Sequence, residues 1–252
     1  MKNAKWLRFF TAALFWLAVW QLAAGQLDRQ VQWSALLLPY PMDVLRRLVH
    51  LAGTSLFWLT ALSSMGRIFG AFAAGAVIGT GCAALCALIP ALRVIISPMM
   101  AVIRATPVAS FIILLLLWLP GPGWVSAAAA MLMTLPIFWA NLSSGIDGVG
   151  VRLLEMARAY RFGRLKTLRY IYIPALRGAL TSACESGVGL AWKAGVAAEV
   201  LTRPKLAIGR MVYETKLYLE ITDLFAWTAV VVLLSLAVER GVRALVRRGE
   251  GL

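Results

Sequence analysis

The amino-acid sequence predicts an all-α polytopic membrane protein with six transmembrane helices, and three observations lead to this fold class. The 252 residues are 61% hydrophobic and only 14% charged, whereas soluble domains carry about a quarter charged residues. Several apolar runs of about 20 residues are long enough to cross a bilayer. The cations behind the net charge of +14 cluster at the ends of these runs, which is typical of membrane proteins and excludes nucleic acid as the expected partner.

Six apolar segments are the predicted spans. They lie at about 7–24, 66–89, 97–119, 124–142, 175–201 and 224–242. The basic start and its apolar run could form a signal peptide, but no small-residue cleavage site follows Ala24, so we expect a retained first span. Pro107 falls inside the third span, Pro90 and Arg93 are expected in a short loop, and the turn at 120–123 precedes the fourth span.

The first two spans are separated by a mixed segment, residues 25–65, which we expect on the outer side of the membrane. Pro39 and Pro41 break any long helix, so two short amphipathic helices are predicted, at 44–50 and 55–65. Small residues recur along the second span, at Gly66, Gly70, Gly75 and Gly79. Such spacing lets helix backbones approach closely and predicts a packing face.

The longest polar interruption in the second half of the chain covers residues 147–180. Its seven cations are Arg152, Arg158, Arg161, Arg164, Lys166, Arg169 and Arg177, against the two acids Asp147 and Glu155. Val151, Leu154 and Ala157 share one helical face, which predicts an amphipathic helix, a turn at 161–163 and a second helix that Pro174 interrupts. This pattern alone leaves two uses open: a partner protein binds the loop, or anionic lipid headgroups hold its arginines.

The residues Glu155-Met-Ala-Arg, a turn, and Ile171-Tyr-Ile-Pro174 resemble the "EAA" loop of binding-protein-dependent ABC transporter permeases. The sequence departs from that pattern at two positions, since Met156 replaces the first alanine and Arg161 stands where the glycine is usual, with Gly163 two residues later. The stretches 39–67, 189–201 and 223–240 are similar to the nitrate/sulfonate/taurine branch of these permeases. The resemblance covers nearly the whole chain.

The resemblance implies a single permease domain over residues 1–252 with the type I ABC importer fold, in which residues 147–174 form a cytoplasmic coupling loop. In this family that loop docks in a groove of a separate ATPase subunit. The residues implied in this contact are Leu154, Glu155, Met156, Ala157, Arg158, Ala159, Tyr160, Arg161, Gly163 and Pro174. Two ATPase subunits are implied, whereas one chain offers one coupling helix, so we expect a homodimer with the solute path on its two-fold axis. A solute-binding protein would dock on the outer face, at 26–65 and 202–223.

The distribution of cations predicts the orientation in the membrane. With the N-terminus inside, six spans bring both termini and the coupling loop to the cytoplasmic side, where cations are then about twice as numerous as outside. This count includes Lys2, Lys5, Arg8, Arg247 and Arg248 at the two termini. The expected location is therefore a bacterial inner membrane, with several passes.

Ionisable residues that interrupt otherwise apolar spans are Arg104 in the third, and Glu185, Lys193 and Glu199 in the fifth. Such groups cost at least a few kcal/mol at membrane depth, so they usually face protein or a water-filled cavity. We expect them along the solute path, where Lys193 and Arg104 would lower the desolvation cost of an anion. The alternatives are a structural ion pair of Lys193 with Glu185 or Glu199, or a position for Glu199 at the outer interface.

The chain has no motif that predicts catalysis or metal binding. It carries no Walker-type sequence and no serine with a plausible base, His50 is expected at the surface, and the three cysteines are expected as packing residues. ATP and Mg²⁺ therefore belong to the separate ATPase, and the chain itself is expected to bind no cofactor. The resemblance implies a sulfonate, taurine or nitrate-like ion as solute, with a pyrimidine-type or other small nutrient as the alternative. An ion-coupled secondary transporter, a membrane enzyme using Glu185 with Lys193, and a non-transporting scaffold remain as other classes, and none of them would need an ATPase.

Overall fold

A computed structural model describes the main chain of residues 2–30 and 36–250 and the side chains of 11–30 and 36–244. Residues 31–35 of the predicted outer segment and the side chains of the terminal cations lie outside this part. All regular structure in the described ranges is helical. The helices are α1 Lys2–Gln30, α2 Pro41–Ala52, α3 Ser55–Leu88, α4 Pro90–Ala105, α5 Val108–Trp118, α6 Pro122–Asp147, α7 Val151–Ala159, α8 Arg164–Thr167, α9 Ile173–Thr202, α10 Ile208–Leu217 and α11 Ile221–Glu250. A π-helical turn, Leu168–Tyr172, joins α8 to α9.

Helices α3 and α6 pack in parallel through two glycines of the predicted packing face. A Cβ atom on Gly75 would lie 2.7 Å from the carbonyl oxygen of Met131, and one on Gly79 would lie 2.5 Å from that of Leu135. Only a residue without a side chain fits there, so the prediction of a packing face is confirmed for these two positions. The other two glycines of that face, Gly66 and Gly70, have open space around them within the chain.

Helix α9 runs antiparallel to α3 and α6 and completes the core. Near its start, Leu176 and Ala179 meet Gly145 of α6, and at its end the Thr202 hydroxyl donates a hydrogen bond of 3.2 Å to the carbonyl oxygen of Pro122. Helix α11 lies along the other side of α9. The buried indole of Trp192 donates a hydrogen bond of 3.1 Å to the carbonyl oxygen of Val231 there.

The predicted third span is wrong as a single helix. Helices α4 and α5 meet at an angle of 108°, with the break at Thr106 and Pro107. Proline has no N–H to continue a helix and forces the preceding residue out of the helical region, and Thr106 accordingly has an extended ψ of 130°. The break is therefore a broken span or a re-entrant loop rather than a kink.

Three boundaries also differ from the sequence-based expectations. The loop expected at Pro90 and Arg93 is wrong, because Pro90 occupies the first turn of α4, where its missing N–H costs nothing. The short helix expected at 55–65 is the beginning of α3 rather than a separate element. The loop expected at 202–223 contains α10, whereas the expected amphipathic helix at 44–50 is present as α2.

Three helices of the described part are long and apolar enough to cross a membrane, and the bent pair α4–α5 would make a fourth. The three are Ser55–Leu88, Pro122–Asp147 and Ile221–Ala244. Helix α9 is as long, with 30 residues, but four ionisable side chains interrupt its apolar sequence. The count of six spans stays a prediction.

The directions of the helices divide the molecule into two ends. The α7 end holds α7 and α8, the end of α6 and the beginnings of α4 and α9. The α10 end holds α2 and α10, the end of α9 and the beginnings of α3, α6 and α11.

Candidate functional site

The predicted coupling loop, residues 147–174, carries α7 at the α7 end of the molecule. Ala157 is 3% exposed and packs with Val149 and Ile171, and Leu154 and Phe162 lie against this small cluster. The cluster attaches α7 to the start of α9, because Ile171 belongs to the π-helical turn before it. The predicted amphipathic helix and its buried face are present, but Val151, which was expected on that face, is 68% exposed.

The turn after α7 is made at Arg161, the position where the sequence departs from the glycine of the family pattern. The main chain of Arg161 has a φ of 50°, in the left-handed region that favours glycine. The N–H of Arg161 donates to the carbonyl oxygen of Arg158, and that of Phe162 donates to the carbonyl oxygen of Ala157 at 2.8 Å. These two bonds form a Schellman motif, which normally ends in glycine. Gly163 does not take over this role, because its φ is −69°.

Most of the predicted ATPase-contacting residues lie at the surface. Ala157 is buried and Leu154 is half-buried, whereas the others are exposed: Glu155, Met156, Arg158, Ala159, Tyr160, Arg161, Gly163 and Pro174. Next to them lies an open, mainly apolar groove of about 490 Å³, lined by Leu153, Met156, Phe162, Tyr170, Ile171, Pro174 and Ala175. All seven cations of the 147–180 segment are exposed as well. The surface thus combines an apolar groove, one acid and many cations.

Two features fix the ends of the coupling loop to the helices. Arg93 at the start of α4 donates hydrogen bonds of 3.0 and 2.6 Å to the two carboxylate oxygens of Asp147 at the end of α6. Pro174 does not interrupt the second helix as predicted. It lies in the first turn of α9, and the chain reaches it through the π-helical turn Leu168–Tyr172 without leaving a helical path.

The four ionisable residues predicted along the solute path are not brought together within one chain. Lys193 and Arg104 are exposed, and neither has an ion-pair partner in the part of the chain that the structure describes. Glu185 lies 3.4 Å from Nε of Arg243 on α11. The alternative in which Lys193 forms a structural ion pair with Glu185 or Glu199 is therefore wrong. Glu185 pairs with Arg243 and Glu199 pairs with Arg67 instead.

Glu199 is completely buried within the chain. Its Oε1 atom lies 3.4 Å from Nε of Arg67 on α3, and its Oε2 atom accepts hydrogen bonds from the hydroxyl of Ser64 at 2.8 Å and the N–H of Gly209 at 3.2 Å. Sequence reasoning missed Arg67 as the partner. The signal was available, since Arg67 is the one ionisable residue of the predicted second span and so needed a counter-charge as much as Glu199 did.

A second ion pair strengthens the α10 end. Arg47 of α2 donates from Nε and Nη2 to the two carboxylate oxygens of Asp223, at 2.5 and 2.7 Å, at the start of α11. The hydrogen bonds to this carboxylate raise the pKa of Arg47 above its ordinary value. Asp223 is only 13% exposed, so water competes little for this contact.

Nothing in the described part of the chain suggests a metal site. No group of three His, Cys, Asp or Glu side chains comes together there, and Cys82, Cys86 and Cys184 are free thiols. His50 is exposed beside Arg47 on α2.

Comparisons with known proteins identify the family of the chain. Residues 75–250 match the family described as "Binding-protein-dependent transport system inner membrane component". The chain is similar to the taurine transport system permease protein TauC of Escherichia coli, with 28% identity over 94% of this chain and 86% of TauC. It is also similar to the putative aliphatic sulfonates transport permease protein SsuC of Bacillus subtilis, with 22% identity over 98% of this chain and 88% of SsuC.

A solved structure, the crystal structure of an amino acid ABC transporter with histidines, shares the fold. Its chain superposes with a TM-score of 0.65 at 19% identity, covering 80% of this chain and 97% of that one. The family match spans most of the sequence and includes α6, the predicted coupling loop and α9. The chain therefore belongs to the binding-protein-dependent ABC transporter permeases, as an inner-membrane component of such a transport system.

Proposed function

We propose that this chain is the membrane-spanning subunit of an ATP-driven importer, that it works as a homodimer, and that its solute is a small organic anion such as a sulfonate or taurine. The observation that carries the proposal is the exposed helix α7, which is attached to the ends of two core helices and presents an apolar groove, Glu155 and cations to the surroundings. The likeness to permeases named for taurine and aliphatic sulfonates supports the choice of solute.

In this proposal α7 is the coupling helix and a separate ATPase subunit, carrying ATP and Mg²⁺, holds it. Because Ala157 packs on Ile171 at the start of α9, and Asp147 ties the end of α6 to Arg93 of α4, a shift of α7 moves three helices together. ATP binding would close two ATPase subunits and shift the population of the homodimer from inward-facing to outward-facing.

The proposed membrane arrangement has six spans: α1, α3, the α4–α5 pair, α6, α9 and α11. Both termini and the α7 end lie in the cytoplasm, and the α10 end faces outward, where a solute-binding protein docks on α2 and on residues 202–221. This orientation follows from the cation count in the sequence.

One face of α9 supports the homodimer and its path. Ser186, Leu190, Lys193, Ala197 and Leu201 follow helical spacing and are all exposed in the single chain. In a two-fold dimer this face would contribute one Lys193 from each copy to a shared cavity, which would favour a negatively charged solute. Arg104, beside the α4–α5 bend, is the second proposed path residue, while Glu185 and Glu199 hold helices together through Arg243 and Arg67.

Co-purification with an ABC ATPase tests the importer role most directly. The chain is expressed with the ATPase encoded beside it, extracted in mild detergent and examined for equal stoichiometry. We expect Glu155→Arg to abolish co-elution, because it reverses the one negative charge that α7 presents, while the permease itself still elutes as a folded species.

The matched control is Glu220→Arg, which makes the same change at an exposed glutamate of the α10 end and should leave the ATPase bound. A wild-type permease that elutes without any ATPase would contradict the importer role. Proton- or sodium-coupled uptake by the chain alone would then favour a secondary transporter.

Removal of Lys193 tests the solute path. Lys193→Ala should lower anion uptake into proteoliposomes by roughly tenfold or more, since a hydrogen bond to a charged group typically contributes about 1.5–3 kcal/mol. Arg240→Ala, at an exposed cation of α11 outside both proposed docking surfaces, serves as control. Unchanged uptake in Lys193→Ala would assign α9 to packing and would favour a neutral solute such as a pyrimidine.

A further inference from the structure

We infer that the buried contacts around Glu199 transmit the docking of the solute-binding protein from α10 to the core helices α3 and α9, which makes Glu199 a positioning residue for the transport cycle. The inference rests on the proposed importer role, in which the α10 end faces the binding protein. We call this group of residues the Glu199 junction: Ser64, Arg67, Glu199, Leu206, Ile208 and Gly209.

The junction binds the first turn of α10 to two core helices. Glu199 of α9 accepts a hydrogen bond from the N–H of Gly209, and the hydroxyl oxygen of Ser64 on α3 accepts one of 2.9 Å from the N–H of Ile208. The first N–H groups of a helix have no acceptor within the helix, so here the core supplies those acceptors. The same Ser64 hydroxyl donates to Glu199 at 2.8 Å, which links the two acceptors to each other.

Arg67 closes the loop that leads into α10. Its Nη2 donates to the carbonyl oxygen of Leu206 at 3.2 Å, while its Nε faces Glu199. Leu206 and Arg203 both have a positive φ, 50° and 53°, a conformation that non-glycine residues keep only where surrounding contacts hold them. The guanidinium is one such contact, so the path of residues 203–208 depends on the same ion pair as Glu199.

The junction leaves α10 no room to move separately. A Cβ atom on Gly209 would lie 2.4 Å from Cβ of Glu199 and 2.5 Å from the main-chain nitrogen of Val200, so α10 touches the backbone of α9. The residues that follow α10 are open to a partner, with Tyr218 70% exposed and Leu219 62% exposed. A protein that binds there and displaces α10 must therefore displace α3 and α9 with it.

Two double variants separate this positioning role from a merely structural one. Arg67→Met with Glu199→Gln removes both charges of the pair but keeps an oxygen that can accept hydrogen bonds from Ser64 and Gly209. Arg67→Met with Glu199→Met removes the same charges and the acceptor, at similar side-chain volume. Each permease is purified with its ATPase, reconstituted, and assayed for ATPase activity with increasing concentrations of solute-loaded binding protein.

We call the variants Met/Met (Arg67→Met with Glu199→Met) and Met/Gln (Arg67→Met with Glu199→Gln). We expect the Met/Met variant to need a roughly tenfold higher concentration of binding protein for half-maximal stimulation, because hydrogen bonds to a buried group are lost. The Met/Gln variant should stay within about twofold of the wild type, and both should keep their basal ATPase activity and their bound ATPase. Glu185→Gln, which removes a carboxylate from the middle of α9, is the matched control and should not change the half-maximal concentration.

Equal half-maximal concentrations in the two double variants and the wild type would overturn the inference. If the Met/Met variant does not assemble, Ser64→Ala takes its place, since it removes only one hydroxyl from the junction; a shift of about threefold supports the inference, and no shift overturns it. A wild-type complex that lacks ATPase, or that the binding protein does not stimulate, would instead count against the proposed function.

Discussion

The two ends of the molecule are built in opposite ways. At the α7 end a short helix rests on a small cluster of three buried residues, Val149, Ala157 and Ile171, and exposes most of its surface. At the α10 end a helix of similar length is held by a buried carboxylate, with the Arg47–Asp223 ion pair beside it. Within the chain, the α7 end is therefore open and lightly held, whereas the α10 end is fixed to the core helices by buried polar contacts.

The glycines of the two ends illustrate the same difference. Gly150 and Gly163, which flank α7 and its turn, have no atom within 4 Å of a Cβ position, whereas Gly209 of α10 has three within 2.7 Å. The glycines that flank α7 and its turn are therefore loop residues, whereas Gly209 is what allows α10 to touch α9.

The largest expected effect comes from adding one methyl group at each end. Gly209→Ala should destabilise the permease by about 3 kcal/mol or more, because overpacking against main-chain atoms cannot be relieved by a side-chain rotation. Gly163→Ala, with a φ of −69° and open space, should change the free energy of unfolding by less than about 0.5 kcal/mol. Thermal unfolding of both variants in the same detergent measures the difference, and equal midpoints would contradict the contrast between the ends.

A smaller effect is expected from removing one ion pair at each end. Asp223→Asn should destabilise the contact between α2 and α11 by about 2 kcal/mol, since hydrogen bonds to a poorly hydrated charge are lost. Asp147→Asn should cost less, because both partners of that pair are about half exposed and water replaces them. Hydrogen exchange of α2 and of α7 reports the two changes separately; faster exchange in α7 than in α2 would reverse the expected order.

The smallest effect, and the only stabilising one, is expected at the turn after α7. Arg161→Gly should stabilise the loop by about 1 kcal/mol, since glycine adopts the left-handed conformation without the steric cost that arginine bears. Slower hydrogen exchange of the α7 amides is the readout. Arg164→Gly, in the first turn of α8 with helical geometry, is the control and should give no such gain; if both variants behave alike, the φ of Arg161 is not the cause.

Apolar runs allowed most of the long helices to be predicted, because a helix that is buried in a membrane or a core needs such a run whatever its neighbours are. The packing face of α3 was predicted from the spacing of its glycines, and the prediction holds at Gly75 and Gly79. Breaks were harder. Pro107 lies in an apolar run, where a proline can either kink a helix or end it, and the choice depends on neighbours that the sequence does not name.

Contacts between residues far apart in the sequence could not be predicted. Ser64 and Glu199 are 135 positions apart, and α10 owes its position to that contact, which is why its polar sequence was predicted as a loop. Within the coupling loop the relations are local, so the helix, the turn and the unusual position of Arg161 could all be anticipated. What those residues bind stays a prediction, because a surface shows its chemistry but not its partner.

The bend between α4 and α5 has a consequence for leakage. With 16 and 11 residues, the two arms are about 24 Å and about 16 Å long, so neither can cross a hydrocarbon layer of about 30 Å by itself. The last carbonyl groups of α4 and the first N–H groups of α5 have no partner within their own helices, and they need water or protein because hydrocarbon offers them no hydrogen bond. Where water rather than protein meets these groups, it reaches part-way into the membrane and shortens the insulating layer that keeps protons and ions from leaking across.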